Sequence, residues 1–296
     1  MADFIARVRA AGLGFALSQF AVFGVGHAAP LRIVAAEAVY GDIAAQVGGD
    51  AVSVTSIVAN PAQDPHLFEA GASAARAIAG AQLVIHNGAG YDPWMNKLLS
   101  ATGNRDRAVL VVADLVHAAP GANPHLWYDL DAMTALAEAI ADRLPAPDKA
   151  AEIAYLDRVI AFDASMLRLT VRVTALKDKY AGMPVTATEP VFDYMARAIG
   201  LDMRNAAFQR AVMNDTEPSA RDVAAFEDDL RQHRVKVLLY NLQATGTVPD
   251  RMRRIAEEAH IPVVGVSEVE PQGMRYQDWM SMQLDALEKA LSETQK

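Results

Sequence analysis

Two short segments carry the residues best suited to chemistry. Gln63-Asp64-Pro65-His66-Leu67-Phe68-Glu69 and Asn123-Pro124-His125-Leu126-Trp127-Tyr128-Asp129 share one pattern, Asp or Asn, Pro, His, Leu and an aromatic, about sixty residues apart. Proline fixes its own φ and keeps the preceding residue extended, so each imidazole is presented from a stiffened loop. One such histidine would read as an ordinary polar loop residue. Two in the same frame point to ligands for a metal ion. The sequence has no cysteine, so a metal must be held by imidazole and carboxylate.

Composition narrows the class of protein. Of the 296 residues, 52% are hydrophobic and 21% charged, enough apolar material for a sizeable core. A formal net charge of −9 argues against a nucleic-acid partner, whose phosphates call for a basic face. At the amino terminus Arg7 and Arg9 precede the apolar run from Ala10 to Val25, and Gly26-His27-Ala28 offers small residues for cleavage. This pattern predicts a secretory signal peptide over residues 1–28, hence a periplasmic location with no stable membrane insertion. With no cysteine available for lipid attachment, a soluble protein is expected.

The elements that must position the histidines alternate. Leu31–Ala36, Val52–Val58, Leu83–His86 and Val109–Val112 read as strands, separated by helical stretches over Val39–Val47, Ala70–Ala79 and Trp94–Leu99. Such alternation predicts βαβ units and a parallel sheet. His66 follows the second strand and His125 the fourth, at the carboxyl-end rim where open α/β sheets bind ligands. The 34 residues from Asp148 to Ala181 contain no glycine or proline. Ile153, Leu156, Ile160, Ala164, Leu167 and Val171 step through them by threes and fours, the stripe of one long amphipathic helix. The alternation then resumes, with strands at Pro184–Thr188, Val235–Tyr240 and Ile261–Val266 and a terminal helix over Met280–Leu291. The expected organisation is a signal peptide (1–28), an α/β lobe (29–147), a linking helix (148–181) and a second α/β lobe (182–296). Glu189 and Glu268 fall at strand ends of the second lobe, as the histidines do in the first. All four meet if the lobes face each other across a cleft.

Two imidazoles and two carboxylates suit manganese, iron(II) or zinc. Here the sequence resembles the TroA-like metal receptors, periplasmic solute-binding proteins of ABC importers. The resemblance spans essentially the whole chain after the signal. It rests on Asp64-Pro65-His66, on Asn87-Gly88-Ala89-Gly90 leading to Asp92 and Trp94, on Asn123-Pro124-His125-Leu126-Trp127, on the long helix and on Glu217-Pro218-Ser219. It implies two parallel-sheet α/β lobes joined by one rigid helix, with the metal at the lobe interface. His66 and His125 match its first-lobe ligands. Glu189 stands where zinc-type members usually have His, which looks like the manganese or iron type. Glu268 matches the fourth ligand, with Glu270 as its rival. The segment Asp114–Gly121 lacks the His-rich insertion of many zinc-type members, containing only His117.

The function so implied is capture of a divalent cation by a monomeric binding protein and delivery to an ABC permease, with no catalytic step. A metal-dependent hydrolase, with Glu268 or Glu270 activating water, and a metallochaperone on the same scaffold are the alternatives. No His-Glu-x-x-His, Gly-x-Ser-x-Gly or phosphate-binding glycine loop occurs. Asn241 and Tyr240 at a strand end are expected to support ligands, whereas His86, His233, His260 and the three tryptophans are expected to pack or face solvent.

Overall fold

The structure, a computed structural model, describes residues 29–104, 106–243 and 246–294; the expected signal peptide lies outside them. The first lobe runs β1 (Leu31–Glu37), α1 (Ala38–Gly48), β2 (Val52–Val58), α2 (Ala72–Gly80), β3 (Leu83–His86), α3 (Pro93–Ala101), β4 (Ala108–Val111), α4 (Val112–Leu115) and α5 (Leu130–Ala141). Then come α6 (Lys149–Tyr180), β5 (Pro184–Ala187), α7 (Asp193–Ile199), β6 (Asp202–Arg204), α8 (Ala206–Met213), α9 (Ala220–Arg231), β7 (Leu238–Asn241), α10 (Thr247–Glu258), β8 (Val263–Val266) and α11 (Tyr276–Glu293).

Both sheets are parallel and share one topology, β2-β1-β3-β4 and β6-β5-β7-β8. Central strands such as β3 are buried along their whole length, as sheets covered on both faces require. In each lobe the chain direction of winding reverses between the first strand and the third. Beyond the carboxyl ends at that reversal, the loops diverge and leave room for a ligand. Strand β6, whose three residues carry no usable alternation, is absent from the expected elements, as is helix α8. The strand expected at Val235–Tyr240 pairs only from Leu238 onward.

Helix α6 is one unbroken 32-residue rod, roughly 48 Å long at 1.5 Å per residue. The Asp148 side chain caps it by accepting from the Ala151 N–H, and Lys177 and Lys179 complement the dipole in its last turn. Its buried face is not the one expected. Ile153, Leu156, Ile160, Leu167 and Val171 are between 48% and 64% exposed, and Ala164 is exposed with them. The face turned inward is Tyr155, Val159, Phe162, Met166, Leu169, Val173, Leu176 and Tyr180. Both sets step by threes and fours, so periodicity alone is satisfied by either. The inward set holds the aromatics, whose larger apolar bodies fill the space beside α1, α5, α7 and α11.

The largest buried cluster among the described residues is shared by both lobes. Trp127, Tyr128, Phe192, Tyr276 and Trp279 belong to one buried cluster that includes residues of both sheets. Tyr128 donates its hydroxyl to the Ser267 carbonyl (2.8 Å), and Tyr276 donates to that of Trp127 (2.8 Å). Helix α11 also returns to the first lobe, where the Tyr276 N–H meets Asp42 at 2.9 Å. Closely packed interiors with interlocked polar contacts resist wide hinge motion.

Candidate metal centre

His66 sits in a one-turn 3-10 segment, Pro65–Leu67, just beyond β2. The Asp64 carboxylate accepts from the His66 N–H at 2.9 Å and so fixes the start of that turn. His125 is held more tightly. Its Nδ1 lies 2.6 Å from Asn123 Oδ1, and Asn123 Nδ2 donates to the Pro190 carbonyl at 2.6 Å. That second bond fixes the amide orientation, so Nδ1 of His125 carries a proton and Nε2 is the ring nitrogen left to face the centre. Asn87, at the end of β3, donates to the Pro124 carbonyl at 2.9 Å and braces the same loop.

The loop after β3 supplies a residue the sequence reading passed over. Gly88, with φ +73°, starts a tight turn where a Cβ would come within 2.5 Å of the Val111 side chain. Asp92 accepts the N–H groups of Asn87 (2.7 Å) and Gly88 (3.0 Å) and meets His86 Nδ1 at 3.1 Å. Between these anchors Tyr91 points across the interface and donates to Glu268 Oε2 at 2.8 Å. Its position at the rim of a strand end, directly after glycine, was the available signal.

In the second lobe Glu189 follows β5, Asn241 ends β7 and Glu268 follows β8. Asn241 Nδ2 donates to Glu189 Oε2 (2.7 Å) and to Glu268 Oε1 (2.6 Å). Gln243 fastens the assembly by accepting the Glu268 N–H at 2.9 Å and donating to the Pro61 carbonyl at 2.9 Å. Tyr240, expected beside it, instead turns to Asp250. Glu270 does not join the group. The chain bends at Glu268 and Val269, which breaks the alternation that would aim residues 268 and 270 alike. Burial and the nearby Asp42 push the Glu270 pKa up to about 9.

His66, His125, Glu189 and Glu268 each offer one donor atom, and these atoms all lie within 4.8 Å of one another. His66 Nε2 is 3.3 Å from Glu189 Oε1 and 3.2 Å from Glu268 Oε2; His125 Nε2 is 3.9 Å and 3.4 Å from the same oxygens. A tetrahedral ion with bonds of 2.0–2.1 Å sets its donors roughly 3.3 Å apart. Both Nε2 atoms and Glu189 Oε1 are buried without a hydrogen-bond partner. Buried polar atoms left unpaired are costly, and a cation at their centre would satisfy all of them. The donor set therefore fits a borderline divalent ion.

The electrostatics agree. Burial works against a charged His66, yet Glu189 and Glu268 outweigh it and push its pKa up to about 11. Burial would raise the Glu268 carboxyl, but contacts with His125 and His66 hold it well below the usual range. Positive charge is what the carboxylates demand at this point. The His66 side chain is 15% exposed while those of the other three are at most 1%. A cavity of about 540 Å³, lined by Asp64, His66, Glu189, Asp215 and Glu217, opens on that side.

A model of the family described as zinc-uptake complex component A, periplasmic (ZnuA), matches residues 33–290. The chain belongs to the ZnuA family. Among curated relatives, the manganese ABC transporter substrate-binding lipoprotein PsaA of Streptococcus mitis is 25% identical over 289 residues, covering 89% of this chain and 90% of the relative. The metal ABC transporter substrate-binding lipoprotein FimA of Streptococcus parasanguinis is 23% identical, covering 90% and 91%. In fold, the chain is similar to the periplasmic zinc-binding protein TroA of Treponema pallidum, with TM-score 0.74, 18% identity, and 89% and 99% of the two chains covered. ZnuA-family membership makes this a substrate-binding transport protein and speaks against the hydrolase alternative. So does the geometry: Glu268 is one of the converging donors, and Glu270 faces Asp42.

Several other polar residues of this ZnuA-family chain have local roles. His86 is buried against Asp92, Asp129 caps α5, and Ser219 caps α9. Glu69 stands short of α2, whose cap is Gly71, and lines a cavity beside His66 instead.

Proposed function

We propose that this chain captures one divalent transition-metal ion outside the cytoplasm, through His66, His125, Glu189 and Glu268, and hands it to an ABC permease. The observation that carries the reading is the convergence of four donor atoms, three of them buried and unpaired. The named cargoes of its relatives, manganese and zinc, both lie within what two nitrogens and two oxygens accept. His125 is set to its metal-binding tautomer by Asn123, and the carboxylates are pre-aimed by Asn241, so little reorganisation accompanies uptake. Binding and release suffice for the task. The protein works as a periplasmic monomer freed of residues 1–28, with no nucleic-acid partner. No helix among the described residues is long and apolar enough to cross a membrane.

The test is metal analysis of untagged protein, then competitive titration with manganese, zinc and iron(II). One ion per chain is expected, lost in His66→Ala and in His125→Ala. Wild-type protein that takes up no stoichiometric ion would overturn the assignment.

A further inference from the structure

Asn241 is 1% exposed and fully committed. Its Oδ1 accepts the Gln243 N–H at 3.0 Å, which fixes the amide orientation. Both Nδ2 hydrogens are then spent on carboxylates, one on Glu189 Oε2 (2.7 Å) and one on Glu268 Oε1 (2.6 Å). These are the oxygens turned away from the imidazoles. The opposite oxygens, Glu189 Oε1 and Glu268 Oε2, face His66 and His125. Bidentate binding by either carboxylate would bring its second oxygen round to the ion and strip a buried amide hydrogen of its acceptor. Such an unpaired donor is disfavoured. On Glu268 the restraint is doubled, because Tyr91 holds the facing oxygen in register.

Resting on the receptor reading above, we infer that Asn241 determines metal specificity by limiting Glu189 and Glu268 to one oxygen each. The site then offers four protein donors. Zinc is content with four in a tetrahedron, whereas manganese favours six oxygen-rich ligands. A glutamate in the third position looks, on ligand type alone, like a manganese site. The amide behind it shifts the balance toward zinc. Asn241 touches no ion itself and is a positioning residue.

The experiment compares wild type, Asn241→Ala and Asn241→Leu by competitive titration with zinc and manganese, alongside X-ray absorption of each loaded protein. Leu fills the space without donating, so it separates release of the carboxylates from admission of water. In wild type the zinc spectrum should show four light-atom neighbours, two of them imidazole nitrogens. In both variants the ratio of manganese to zinc Kd should fall about tenfold, the lower end of what outer-sphere partners contribute, and the coordination number should rise. An unchanged ratio in variants that still bind, or a change in Asn241→Ala alone, would overturn the inference. Bidentate carboxylates in the wild-type zinc spectrum would overturn it without any variant. Wild type that binds neither ion would instead remove the receptor reading on which it rests.

Discussion

Tyr91 of the first lobe donates to Glu268 Oε2 of the second, the same oxygen that lies 3.2 Å from His66 Nε2. One hydrogen bond thus joins lobe docking to ligand placement. Tyr91→Phe keeps the edge contacts of the ring with Trp127 and His66, at centroid separations of 4.9 and 5.4 Å. It should weaken metal binding about tenfold with little change in fold, read by calorimetry and circular dichroism. Equal affinity would show that the hydroxyl is dispensable.

Metal uptake should release protons. A cation placed among the four donors must displace the proton that the nearby Glu189 and Glu268 favour on His66, whose pKa is pushed up to about 11. Below that pH, affinity should rise with pH, and about one proton should leave per ion near neutrality. Titration in buffers of different ionisation enthalpy measures that number. For the metal-free protein, stability from the raised His66 pKa is fully present below the unfolded value near 6.5 and lost as pH rises through 11. Stability from the lowered Glu268 pKa runs the other way, present above the unfolded value near 4.5 and lost in strong acid.

Glu270 should behave as a neutral acid near pH 7, since its pKa is about 9. The folded protein holds a proton there that the unfolded chain has shed, so stability falls as pH rises from about 4.5 toward 9. Glu270→Gln should flatten that slope in thermal melts and leave metal affinity unchanged, whereas Glu268→Gln should abolish tight binding. A large loss of binding in Glu270→Gln would contradict the geometry.

The mouth beside His66 carries Asp64, Asp215 and Glu217. Acidic walls raise the local cation concentration and are screened by salt. Asp215→Asn with Glu217→Gln should slow association roughly tenfold at low ionic strength and converge on wild type at high salt. Stopped-flow kinetics across a salt series would decide it.

The two apolar faces of α6 should differ sharply in worth. Phe162→Ala empties a buried site and should cost about 3–5 kcal/mol. Ile160→Ala, at a residue 64% exposed, should stay within about 0.5 kcal/mol. Denaturant melts of the two variants test the reassigned face directly.

Much of this was legible in the sequence because the signals are local. Proline before His66 and His125 stiffens its own loop, an uninterrupted 34-residue segment has no reason to break, and strand alternation marks where loops meet a rim. Those features determined two α/β lobes, one connecting helix and four residues at strand ends. What distance in the chain conceals, only the tertiary structure decided. Which apolar stripe of α6 faces inward depends on the shapes packed against it, and the bend at Val269 separates Glu268 from Glu270 although alternation treats them alike. Tyr91 and Glu268 are 177 residues apart. Their bond exists because the lobes dock, whereas the grip of Asn241 on two carboxylates comes from the adjacency of β5, β7 and β8 in one sheet.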